Sequence, residues 1–224
     1  MIKDCELLAQ SNLPDDPPQG YRVHRLVGDA STRSYFRVTT PAGKNIILML
    51  MPEPFNERQF PYLDNYHLMR GHDIPLAEIH LMEPSRGYVF LQDLGDDTFY
   101  ELYGRWSRQH RLSHFLHSID ILVRISRIQP ASPLAFDVEK LLWELNFFLE
   151  HFLKAHRGCR LTEDETKLLQ EQFLRLSREL AERPRVFCHR DYHSRNLMLA
   201  GDRMYVIDFQ DARFGPATYD LASL

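Results

Sequence analysis

The chain lacks any long apolar run. No stretch approaches the ~20 residues needed to cross a bilayer. The opening residues, Met1-Ile2-Lys3-Asp4-Cys5-Glu6, lack the apolar core of a secretory signal. Cysteine is scarce. Cys5, Cys159 and Cys188 are scattered and odd in number, which argues against a disulfide framework and suits a reducing compartment. A cytoplasmic location is the expectation. There is also no excess of positive charge: 27 Lys+Arg stand against 31 Asp+Glu, a net charge of −4. No basic stripe interleaved with aromatics occurs, so neither nucleic acid nor membrane is expected as a partner. Internal repeats and low-complexity tracts are absent. What is there is 44% hydrophobic over 224 residues, enough for a real core and suited to one large domain or two small lobes.

The first ninety residues favour strands. Tyr21 to Val27, Tyr35 to Thr39 and Ile46 to Met51 read as three of them, the last two joined by a Pro41-Ala42-Gly43-Lys44 turn. Gln59 to Arg70 reads as a helix that stops at Gly71. Ala77 to Met82 and Tyr88 to Leu91 read as a further strand pair. The pattern breaks at Gln92 to Asp97, and the expected division is residues 1–92 and 93–224. The second part is helical. Thr98 to Glu101 and Thr162 to Glu165 read as capping boxes, and Asp137 as an N-cap. Leu112, Phe115, Leu116, Ile119, Leu122 and Val123 form one expected core face. Leu141, Leu142, Leu145, Phe148, Leu149, Phe152 and Leu153 form a second, and Leu169, Phe173, Leu176 and Leu180 a third. Pro130 to Pro133 reads as a short linker.

The most informative segment is Cys188-His189-Arg190-Asp191-Tyr192-His193-Ser194-Arg195-Asn196, with Ile207-Asp208-Phe209 following. Phosphoryl transfer needs such a set: one carboxylate for the proton of an attacking hydroxyl, and an amide oxygen with a second carboxylate to hold Mg²⁺ against phosphates. Leu197 to Leu199 and Met204 to Ile207 read as a hairpin around Ala200-Gly201-Asp202-Arg203. In that register Leu199 faces Met204, and Asn196 falls opposite Ile207, next to Asp208. Adjacent strands lie ~5 Å apart, so the two oxygen ligands can converge. Two other features point away from chemistry. His110, His114 and His117 lie opposite Leu112, Phe115 and Ile119 and read as a solvated stripe. Cys188 reads as a small buried residue ending a strand.

These segments resemble the aminoglycoside phosphotransferase and choline kinase family. Within it, the chain looks most like the bacterial kinases that phosphorylate the anomeric hydroxyl of N-acetylmuramate and N-acetylglucosamine. The matching segments are Gly28 to Val38, Leu91 to Gly95, Cys188 to Asn196, Ile207 to Ala212 and Gly215 to Leu221. The resemblance implies an α+β, bilobal, protein-kinase-like fold with a strand-rich N-lobe and a helical C-lobe. It implies an ATP- and Mg²⁺-dependent phosphotransferase acting on a small molecule, an amino sugar first. An aminoglycoside- or choline-type kinase, or a non-catalytic kinase-like binding module, is the alternative.

The resemblance makes Asp191 the base and Asn196 and Asp208 the metal ligands. Gly28, Ala30, Ser31, Thr32 and Arg33 fall on the phosphate-binding loop, and Gln92 and Leu94 at the adenine side. Asp220 is expected to cap the helix that follows it and to brace the catalytic loop. One departure matters. Kinases carry a Lys on the third strand for the nucleotide phosphates, yet Ile46 to Met51 has none. Either Arg33, Arg37 or Lys44 substitutes, or nucleotide binding is weak. Relatives also continue past the segment matching Tyr219-Asp220-Leu221. The expectation is therefore a truncated C-lobe with an exposed apolar patch near Asp220, self-association and little activity of the 224 residues alone.

Overall fold

The computed structural model describes residues 2–12, 20–26, 32–130 and 134–224. Packing divides the chain into two compact units, Met1–Ser107 with Ser194–Gln210 and Arg108–His193 with Asp211–Leu224. The sequence places a boundary at 92/93. In the structure the first unit runs on to Ser107 and takes back a later hairpin.

The first unit is built on a five-stranded antiparallel sheet. Its strands are β1 (Arg22–Arg25), β2 (Ser34–Thr39), β3 (Asn45–Leu50), β4 (Ile79–Glu83) and β5 (Tyr88–Gln92), in the order β1-β2-β3-β5-β4. The expected strands are all present, with ends shifted by a few residues. On β2, alternation sends Phe36 and Val38 to one face, where they pack with Ile46 and Leu48 of β3 and Tyr88 and Phe90 of β5. A helix that the sequence reading missed, α1 (Ile2–Asn12), contributes Cys5 and Ala9 to this cluster. In β5, four consecutive residues, Tyr88 to Leu91, are buried, so both sheet faces are covered there. Helix α2 (Pro61–Arg70) starts with Pro at its first position, where no N–H is needed, and Gly71 follows its end. A short helix, α3 (Phe99–Tyr103), opens with the Thr98/Glu101 capping box read from the sequence.

The returning hairpin is β7 (Leu197–Ala200) with β8 (Arg203–Val206), and Leu199 pairs with Met204 as expected. Gly201, at φ +61°, supplies the left-handed turn residue. The hairpin is tied to the first unit by main-chain bonds from Leu199 N to Asp97 O (2.8 Å), Val206 N to Pro75 O (2.8 Å) and Tyr100 N to Ser194 O (3.0 Å). These bonds account for its packing with the first unit.

The second unit is helical, with α4 (Arg108–Ser126), α5 (Val138–Phe147), α6 (Glu163–Ala181) and the short α7 (Tyr219–Ser223). It also holds a two-stranded sheet of β6 (Arg185–Cys188) and β9 (Arg213–Pro216). Asp137 caps α5 by accepting from Lys140 N, and Thr162 with Glu165 forms the capping box of α6. Helix α5 continues as π-helical turns from Phe148 to His156. Helices α5 and α6 pack on each other, α4 against β6 and α7, and α6 against β9. Gly215 on β9 has no room for a side chain: a Cβ there would sit 2.8 Å from the Phe136 ring and 3.2 Å from Cys188 Sγ.

The expected core face of α4 is corrected by the structure. Ser118, Ile121 and Ile125 are its buried residues, whereas Leu112 is 58% and Leu116 52% exposed, with Phe115 and Val123 also outward. On α5 and its extension only Leu141 and Leu149 of the expected stripe are buried; Phe148 and Phe152 are exposed. On α6, Phe173 is buried and Leu176 exposed. The linker expected at 130–133 falls mostly outside the described residues. Among those described, no helix is long and apolar enough to cross a membrane.

Candidate active site

The catalytic-loop segment leaves β6 at Cys188, which is buried, as expected of a strand-end residue. Burial, with the Asp220 charge beside it, pushes its thiol up to about 12, far from a nucleophile's range. Next comes a polar clamp. The backbone N–H groups of His189 and Arg190 both donate to the Asp220 carboxylate, at 2.6 and 2.9 Å. Asp220 is 3% exposed. Burial raises its pKa to about 6 against the pull of those two N–H bonds, and Asp191 adds to the rise. The expected bracing of the loop is therefore present. The expected capping is not: α7 has no side-chain cap, because Asp220 is one residue inside the helix and turned to the loop.

The clamp holds an unfavourable backbone. Arg190 has φ +83°, a left-handed conformation that a long side chain rarely adopts. Its guanidinium is anchored by Glu144 of α5 (2.7 Å) and lies over the Phe136 ring, 5.3 Å from its centroid. Asp191 follows. Its N–H reaches His189 Nδ1 at 3.3 Å, and its carbonyl accepts from His193 N at 2.9 Å. His189 is fully buried and edge-on to Tyr192, whose hydroxyl donates to Ser118 O of α4 at 2.7 Å. Asp191 itself stays half-buried.

In the first unit, Ile207 N donates to Asn196 O at 3.1 Å, which continues the β7–β8 register one pair further. Asn196 is thus opposite Ile207, as the spacing predicts, and Asp208 is the next residue. Asp208 is exposed and also left-handed, at φ +65°. What holds it is neutral. Asn65 of α2 donates through one amide nitrogen to Phe209 O (3.1 Å) and Gln210 O (3.0 Å). Phe209 is buried and stacked on Tyr62 at 4.9 Å. Gln210 Nε2 then donates to Asp208 Oδ1 at 2.8 Å, while Gln210 Oε1 accepts from Arg33 Nη1 at 3.1 Å. Arg33 lies over Tyr62 at 5.5 Å and Phe60 at 6.0 Å.

Three cations were open as replacements for the third-strand Lys. Arg37 is spent in a double clamp, with Nε 2.6 Å from Asp93 and Nη2 2.9 Å from Asp96. The bonds to Asp96 and Asp93 raise its pKa, and the same Arg holds Asp96 well below the usual carboxylate range. Lys44 is exposed in the turn beside Asn45, which pairs with Thr39, whereas Ser34 pairs with Leu50 at the opposite end of β2–β3. The two ends are about 17 Å apart at ~3.3 Å per residue. Arg33 is the one whose side chain is linked to Asp208.

Thr32 is exposed, and Gly28, Ala30 and Ser31 lie outside the described residues. Leu94 is buried, and the Gln92 N–H is already bonded to Glu78 O at 2.8 Å. Burial, with His110 and His117 nearby, lowers the pKa of His114, so the middle of that stripe is less solvated than expected. Among the described residues no group of three or more His, Cys, Asp and Glu is placed to hold a metal ion. Asp208 and Asn196 offer a carboxylate and an amide oxygen instead. That hard-oxygen pair fits a divalent ion such as Mg²⁺, which these two residues would hold and which would supply positive charge against phosphates. Sequence reasoning missed Asn65, Tyr62, Gln210 and Glu144. Only Gln210, inside the I-D-F-Q-D run, carried a signal.

A model described as the phosphotransferase enzyme family matches residues 22–224. The chain belongs to that family. An N-acetylmuramate/N-acetylglucosamine kinase of Neisseria meningitidis is 34% identical over 212 residues, covering 93% of this chain and 62% of the relative. A second protein of that name, from Pseudomonas putida, is 32% identical over 88% of this chain and 57% of its own length. The chain thus spans about three fifths of the curated relatives it matches. A choline/ethanolamine kinase family protein from Mesorhizobium loti has the same fold (TM-score 0.62, 16% identity, 100% of this chain and 70% of that one). So does the streptomycin–ATP–APH(2'')-IIa ternary complex (TM-score 0.64, 14% identity, 97% and 73%). The expected protein-kinase-like fold and family resemblance are both borne out. Family kinases take ATP as substrate, typically with a divalent metal.

Proposed function

We propose that this chain carries the nucleotide site and catalytic loop of a cytoplasmic, ATP-dependent kinase. Its acceptor in this reading is the anomeric hydroxyl of an amino sugar, N-acetylmuramate or N-acetylglucosamine, as the names of the curated relatives suggest. Asp191 orients the acceptor hydroxyl and takes its proton late, because an ordinary carboxylate is a weak base at neutral pH. Asn196 and Asp208 hold the divalent ion, Mg²⁺ in this reading. The ion supplies neutralisation of the phosphate charge. By the family resemblance, Gly28, Ala30, Ser31, Thr32 and Arg33 are assigned to the phosphates, and Gln92 and Leu94 to the adenine.

The observation that carries the reading is the Asp220 clamp. A carboxylate buried at 3% exposure with its pKa raised is costly. Its two bonds hold the left-handed turn that immediately precedes Asp191. Asp191→Asn should reduce kcat for sugar phosphorylation by roughly 10²–10⁴ and leave ATP affinity nearly unchanged. Unaltered turnover would remove Asp191 from the chemistry. A second reading, a nucleotide-binding module without turnover, is favoured by a third strand that carries no Lys or Arg. Calorimetry of ATP binding with and without Mg²⁺, set beside a turnover assay, separates the two.

A further inference from the structure

We propose that Arg33 takes the part of the third-strand Lys, and that Gln210 is a positioning residue coupling it to the metal carboxylate. This rests on the reading of Asp208 as a metal ligand. Strand β3 carries no Lys or Arg. Ile46, Leu48 and Met49 are buried, and Ile47 and Leu50 half-buried, so no cation reaches the phosphates from this strand. The cation must come from elsewhere. Arg37 is neutralised by two carboxylates, and Lys44 sits at the far end of the strand pair.

Arg33 differs in three ways. It immediately precedes β2, next to the loop segment assigned to the phosphates. Its guanidinium lies over two aromatic rings, Tyr62 and Phe60, which restrict where it can go. And it shares one amide with Asp208. Gln210 accepts from Arg33 on its oxygen and donates to Asp208 from its nitrogen. These two bonds across one planar amide put the cation and the carboxylate at most ~8 Å apart. A phosphate bridging an ion at Asp208 to a nearby cation needs a span of that order. Gln210 is held in turn: Asn65 grips its carbonyl and that of Phe209.

The kinase pattern sets the phosphate cation with an acidic partner on a helix. In this chain the helix, α2, supplies an aromatic floor and an amide, and the tie runs straight to the metal carboxylate. Cation and carboxylate are therefore pre-positioned as one unit. The consequence is coupling: nucleotide phosphates and the divalent ion should bind cooperatively, and the coupling should pass through Gln210. Planar, forked Arg also suits phosphate oxygens better than a point charge does.

The test is calorimetric titration of the 224-residue chain with ATP and with adenosine, each with and without Mg²⁺. Arg33→Ala should weaken Mg·ATP binding by ~10- to 100-fold and leave adenosine binding unchanged. Arg33→Lys should recover part of the loss. Gln210→Leu should cut the Mg²⁺-dependent gain in ATP affinity by at least ~5-fold, with adenosine binding unchanged. Circular dichroism and thermal melts of each variant check folding. A merely structural role would move adenosine and ATP together, and that result overturns the inference. So does unchanged Mg·ATP affinity in Arg33→Ala while the unmodified chain binds Mg·ATP. If the unmodified chain binds no Mg·ATP at all, the functional reading fails and this inference with it.

Discussion

The two compact units hold their site residues by different means. In the first, the left-handed Asp208 is flanked by a neutral device: one Asn65 amide on two carbonyls, an aromatic stack, and a glutamine. In the second, the left-handed Arg190 is held by charge: a buried carboxylate under two N–H groups and an ion pair to Glu144. The surfaces differ as well. Of the fourteen exposed large hydrophobics among the described residues, Tyr100 and Tyr103 belong to the first unit and the other twelve to the second. The sheet of the first unit closes over its apolar residues. The helices of the second turn many of theirs outward. The two left-handed turns are thus held with unlike sensitivities, one set by packing and the other by proton and charge.

The sharpest break in the comparison is a cavity. Leu48→Ala, at a fully buried sheet position, should cost about 2–5 kcal/mol in chemical denaturation. Phe147→Ser, at a position 51% exposed on α5, should stay within ~0.5 kcal/mol. Equal losses would mean that the outward face of α5 is covered in solution.

Next in size is the pH response. Asp220 has its folded pKa raised to about 6 from 3.8. The fold therefore holds a proton between these values that the unfolded chain has released. The associated stability is fully present below 3.8 and is lost as pH rises through about 6. The stability of the unmodified chain relative to Asp220→Asn should thus grow by up to about 3 kcal/mol as pH falls from 7 to 4. A flat difference in melts across that range would show that Asp220 titrates normally.

The smallest effect concerns the neutral device. Asn65→Ala removes the donor to Phe209 O and Gln210 O and should cost about 1 kcal/mol, with no pH dependence between 5 and 8. A pH-dependent loss would erase the contrast between the units.

Much of this was legible in the residues. The hairpin register followed from the alternation of Leu197, Leu199, Met204 and Val206 and from one Gly at the turn, and the Asn196–Ile207 bond confirms it. Capping at Thr98, Asp137 and Thr162 is local chemistry and was equally readable. Helix α1 was not: among its described side chains, small Cys5 and Ala9 mark the buried side, with Leu8 partly buried beside them. The facing of α4 was misread because the helix is apolar on more than one side. On the side that is buried, the Tyr192 hydroxyl donates to Ser118 O. The fate of Arg37 was hidden too, since its partners Asp93 and Asp96 lie more than fifty residues away.

The sequence by itself determined the spacing of Asp191, Asn196 and Asp208, the candidates for phosphoryl transfer, and the family to which the chain belongs. Spacing within a loop and a two-strand hairpin is local, and local geometry is written in neighbouring residues. Only the tertiary structure decided which cation is linked to Asp208 through Gln210, which face of each helix is buried, and what holds the two left-handed turns. Those outcomes depend on side chains far apart in the chain, whose hydrogen bonds and ring contacts exist only once the backbone has brought them together.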